Sequence, residues 1–168
     1  LSTAKVKQKL WRLAPWADIL YFCDKRWYEW HTDLVSSFNG EIMTLENYDL
    51  REKIKGLKCL GKASLLGLSC SPDTVCTGYN SGVQVLNICL HLRAAKVILL
   101  GMDAKSDGKK THWFGSHPIP TPIDIYEKFV EGFTQIAKGL EACNVEVLNA
   151  TPGTALNCFP KVQLAQIL

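Results

Sequence analysis

Three short polar clusters and one long loop hold the residues of this chain best suited to chemistry. Tyr79-Asn80-Ser81-Gly82 sets short hydrogen-bonding side chains and a glycine directly before an apolar run, which is how a helix start reads. Gly101-Met102-Asp103 closes one apolar segment, and Asn149 to Thr154, with Thr151 and Thr154 as its hydroxyls, closes another. Backbone amides at a helix start, with small hydroxyl side chains nearby, suit phosphate and ribose oxygens. On spacing alone the same residues read equally as ordinary caps and turns. The loop from Ala104 to Pro122 adds His112 and His117 to Lys105, Lys109 and Lys110. A histidine there could act as general base toward an acceptor hydroxyl, with the lysines neutralising a phosphate leaving group. Loop histidines and lysines also occur without any role, and composition leaves both readings open.

The elements that would position these residues follow from hydrophobic periodicity. Val83 to Leu92 is apolar except for Gln84, Asn87 and His91, whose spacing of three and four makes one polar stripe on a mostly buried helix. His91 reads as a helix C-terminal histidine favoured by the dipole. Val97 to Leu100, ended by Gly101, reads as a strand buried on both faces, the kind found in parallel sheets. A helix feeding such a strand is half of a βαβ unit, and ligands of such sheets sit at the carboxyl ends of strands. Upstream, Ala17 to Cys23 predicts a strand, Lys25 to Phe38 one helix with Trp27, Trp30, Leu34 and Phe38 on one side, and Gly40 to Leu45 a second strand. Glu46 to Ser69 predicts only short exposed strands or turns, and Cys70 to Tyr79 a turn-rich loop. Downstream, Ile125, Phe129, Phe133, Ile136 and Leu140 recur at helical spacing. Val145 to Leu148 predicts the last strand and Leu164 to Leu168 a short terminal helix.

Composition bounds the class. The 168 residues are 47% hydrophobic and 21% charged, which suits a single globular α/β domain over the whole chain. No apolar run approaches a membrane span, and no leader pattern follows the early lysines. The net charge of +3 is too small to argue for nucleic acid but suits a pocket for an anionic small molecule. Seven cysteines without a CxxC pair read as free thiols in the reducing cytoplasm, so neither a metal nor a cofactor is expected. The aromatic stretch from Trp11 to Trp30 leaves homo-oligomerisation open; those rings read as core rather than as a base-stacking platform. GxGxxG, Walker, GxSxG and HExxH signatures are absent.

Asn80-Ser81-Gly82, the apolar helix, KVILLGMD, the loop with Gly115-Ser116-His117, the following helix and Val147 to Pro160 resemble the small bacterial sialyltransferases with a single Rossmann-type domain. RLAPWADILYFCD, THWFGSHP and NATPGTALNCFP resemble still more the phage-encoded norphogenetic-type proteins, and the related 6-hydroxymethylpterin pyrophosphokinase-like group. The resemblance implies a doubly wound, mostly parallel sheet. It also implies a nucleotide or nucleotide-sugar ligand such as CMP-sialic acid, with Asn80, Ser81, Gly82, Gly101 and Asp103 on the nucleotide side and His117 as general base. It departs in two places. The glycine-rich GxGPS unit and its strand are absent, with Lys5-Val6-Lys7-Gln8-Lys9 where an apolar strand is expected. The tyrosines that would steady the leaving phosphate are replaced by a region carrying Lys105, Lys109 and Lys110. Three functions follow as expectations: a glycosyltransferase using a CMP- or NDP-sugar, a non-catalytic binder that sequesters a nucleotide-derived host signal, and a structural or assembly protein.

Overall fold

The computed structural model describes residues 16–106, 122 and 124–167. Two βαβ-type passes open it. Strand β1 (Ile19–Phe22) leads through helices α1 (Lys25–Trp30) and α2 (Thr32–Ser37) to β2 (Glu41–Leu45), and a short 3-10 turn at Tyr48–Glu52 leads on to β3 (Lys58–Lys62). Strand β4 (Thr74–Val75), helix α3 (Ser81–His91), β5 (Lys96–Leu99), α4 (Ile125–Ala142) and β6 (Glu146–Asn149) follow, with a final 3-10 turn at Leu164–Gln166. Among the described residues every strand pairing is parallel: β1-β2-β3-β4 form one hydrogen-bonded sheet and β5-β6 another.

Alternation along β1 sorts the two faces. Leu20 and Phe22 pack with Trp27, Tyr28, Leu34 and Val35 of α1 and α2. Tyr21 turns the other way, toward Met43, Leu60, Val75 and Ile88 of α3. Helices therefore cover both faces of a parallel sheet, an arrangement compatible with a Rossmann-like fold. Helix α3 also belongs to the second core, where Val83 and Leu86 meet Leu99, Val147 and Phe133, Ile136 and Leu140 of α4. It is thus the shared wall of both sheets. Among the described residues no strand pairs with the free side of β1 or of β5.

The expected helix over Lys25 to Phe38 is two helices. At His31 the backbone turns to φ −134° and ψ +32°, its N–H bonding Tyr28 O and its C=O accepting from Val35 N at 3.1 Å. Trp27 and Tyr28 of α1 stack near Phe22, with ring centroids 5.5 and 6.1 Å away, and beyond the break Leu34 and Val35 of α2 join the same core. The expectation for Glu46 to Ser69 also changes. β3 is an interior strand, paired with β2 on one side and β4 on the other, with Leu60 buried. Only one large aliphatic residue occurs in its Lys-Cys-Leu-Gly-Lys sequence, so it carries no readable period. Among the described residues no helix is long and apolar enough to cross a membrane.

Candidate functional site

The carboxyl ends of β5 and β6 are bound together by hydroxyl side chains. Thr151 Oγ1 accepts from Met102 N at 2.9 Å, and Thr154 Oγ1 donates to Met102 O at 2.7 Å. Asn149 orders the same turn, its Oδ1 accepting from Thr151 N and its Nδ2 donating to Thr154 Oγ1. Asp103 O accepts from Ala155 N. Asn149, Thr151 and Thr154 are all buried, as groups with fully internal hydrogen bonding can be. The start of α3 joins them, since a Cβ on Gly82 would stand 3.4 Å from Met102 Sδ and 2.8 Å from Phe133 Cζ. The three polar clusters read from the sequence therefore converge on one edge.

Each residue's local role follows. Asn80 caps α3: its Oδ1 accepts from Val83 N at 3.0 Å and its Nδ2 donates to Gly78 O at 2.8 Å. Ser81 and Gly82 are buried behind it. Gly101 is exposed at φ +69°, the left-handed region where a side chain would be strained. Asp103 is half-buried and Lys105 exposed, with Lys105 Nζ 3.6 Å from where a Cβ on Gly153 would stand. His112, His117, Lys109 and Lys110 lie outside the described residues.

Backbone strain gathers at the same edge. Among the described residues five non-glycine residues have positive φ. Arg93 and Asn144 follow helices, where the left-handed conformation is an ordinary ending. Glu46 (+51°), Tyr79 (+61°) and Ala104 (+50°) instead lie after β2, before α3 and after β5. Such conformations cost on the order of 1–3 kcal/mol each and cluster at ligand sites.

Periodicity missed a second polar group on this edge. Glu46 accepts from Lys62 N and pairs with Lys62 Nζ at 2.9 Å, which holds its carboxyl below the ordinary range. Asn47 Nδ2 donates to Thr44 Oγ1 at 2.8 Å and more weakly to Cys23 O. Burial first, and then the charge of Asp24, pushes the Cys23 thiol up to about 11, so it stays protonated at neutral pH. Glu46 and Asn47 come just after β2 and Cys23 just after β1, while Thr44 and Lys62 lie within β2 and β3. The seven cysteines are free, and among the described residues no cluster of three or more His, Cys, Asp or Glu is placed to hold a metal. No protein-family model, curated protein or solved structure matches this chain.

Proposed function

We propose that this chain binds a nucleotide or nucleotide-sugar at the carboxyl edge described above, on a sialyltransferase-like version of the Rossmann arrangement. The observation that carries the reading is the meeting of the α3 start with the β5 and β6 ends, where parallel α/β sheets bind ligands. Within that crevice Thr151, Thr154, Ser81 and Gly82 act as buried struts, and Asn80 orients the helix start. Gly101, Asp103 and Lys105 are accessible enough to meet a ligand, with Asp103 suited to a ribose hydroxyl and Lys105 to a phosphate. In the catalytic version of this reading the reaction is glycosyl transfer from a CMP- or NDP-sugar. His117 then takes the acceptor proton, and Lys109, Lys110 and His112 offset charge on the departing nucleotide.

A second reading is sequestration of a nucleotide-derived signal without turnover, favoured by the crevice's threonines being engaged as struts rather than free hydroxyls. Incubation with CMP-sialic acid, other nucleotide sugars, and cyclic and ADP-ribose-type nucleotides, followed by mass spectrometry of the released material, separates the two. Turnover that disappears in His117→Ala selects the transferase. An unchanged nucleotide, still retained by His117→Ala, selects the binder. Failure to retain any nucleotide overturns both.

A further inference from the structure

A cavity lies away from that crevice, at the amino-terminal edge of β3 and beside the last turn of α3. It has a volume of about 560 Å3, within the range of small-molecule sites. Its floor is apolar, with Met43, Leu60 and Ile88 contributing buried side chains. Leu92, the residue that ends α3, stands on its rim, 54% exposed.

The charges at the mouth narrow the ligand. Lys58 also lines the cavity, but its ammonium is already paired with Glu41. Arg51 and Asp73, both exposed, remain. Arg51 lies over the Tyr48 ring, 5.0 Å from its centroid. Among the described residues neither Arg51 nor Asp73 makes an ion pair, with each other or with any other group. One cation and one anion, neither in an ion pair among the described residues, therefore line the same apolar cavity from different elements. A ligand with a single charge would match one and leave the other opposed or empty. A zwitterion with an apolar body matches both.

We propose that this cavity binds an apolar α-amino acid, its carboxylate meeting Arg51, its ammonium meeting Asp73 and its side chain lying on Met43, Leu60, Ile88 and Leu92. The site is independent of the nucleotide crevice. The test is calorimetric and NMR titration of the full chain with L-phenylalanine, against hydrocinnamate, which lacks the amine, phenethylamine, which lacks the carboxylate, and glycine, which lacks the body. Phenylalanine should bind saturably and each analogue about tenfold or more weakly, the worth of one charge-assisted contact. Arg51→Gln should reduce phenylalanine to the level of phenethylamine, and Asp73→Asn to that of hydrocinnamate. Both substitutions are at exposed positions, so folding is retained and can be checked by circular dichroism. Equal binding of the single-headed analogues, unchanged binding by either variant, or no saturable binding of phenylalanine would overturn the proposal.

Discussion

Asn87 shows how one side chain can organise a region that carries little periodicity of its own. It is fully buried on α3, and its Oδ1 accepts from both Ser69 N (2.9 Å) and Cys76 N (3.1 Å). Its Nδ2 donates to Ser69 O at 2.7 Å. Gln84, one turn earlier, donates to Thr77 O and accepts from the Tyr21 hydroxyl, which burial keeps protonated. His91, one turn later, reaches Ser69 O at 3.0 Å. The polar stripe of this helix thus faces the segment between β3 and α3 and replaces the backbone partners that a longer strand would supply. Asn87→Ala would leave two amides, Ser69 N and Cys76 N, unpaired in the interior. We expect a loss of about 3 kcal/mol or more in urea unfolding, and Asn87→Leu, which restores volume but no hydrogen bonds, should not rescue it.

Close approach of backbones governs packing at the level of elements. A Cβ on Gly132 of α4 would stand 2.4 Å from Gly78 O, just before α3, so the helix rests directly on the loop that aims the α3 start. No flexible side chain stands between them to yield. Gly132→Ala should therefore push α4 away from that loop and cost about 1–3 kcal/mol, measured by thermal or urea denaturation. Because the displaced loop holds Tyr79 and Asn80, the proposed nucleotide reading predicts that the same variant also weakens nucleotide retention. A destabilised variant with unaltered retention would separate α4 packing from the crevice. The break between α1 and α2 likewise sets both helices on one core, Trp27 and Tyr28 from α1 and Leu34 and Val35 from α2 packing with Leu20 and Phe22.

For the molecule as a whole, the two hydrogen-bonded sheets meet across α3, and β1 and β5 each pair on one side only among the described residues. Parallel strands ordinarily lie inside a sheet, and an unpaired edge is a template for another strand. If these edges pair between copies, the mass by light scattering should rise above 18.7 kDa as concentration increases. Ile98→Lys, which adds a charge to half-buried β5, should shift the distribution toward monomer. A constant monomeric mass across concentrations would show that edge pairing does not drive association.

The elements with strong local periods were legible in the sequence. β1, β2, β5 and β6, the apolar α3 and the long face of α4 all occupy the stretches that hydrophobic spacing marks. The clusters at Asn80, Gly101 and Asn149 were legible too, because caps and turns use a small set of short polar residues and glycine. What needed the tertiary structure was set by partners distant in the chain. β3 becomes interior only through β2 and β4, and the stripe of Gln84, Asn87 and His91 gains its role only when the segment from Ser69 to Thr77 lies against it. Thr151 and Thr154 look alike in sequence to ligand hydroxyls, yet their bonds to Met102 across about fifty residues make them struts. Local periodicity records which face of an element is apolar, whereas the use of a polar group depends on which donor or acceptor the folded chain brings to it.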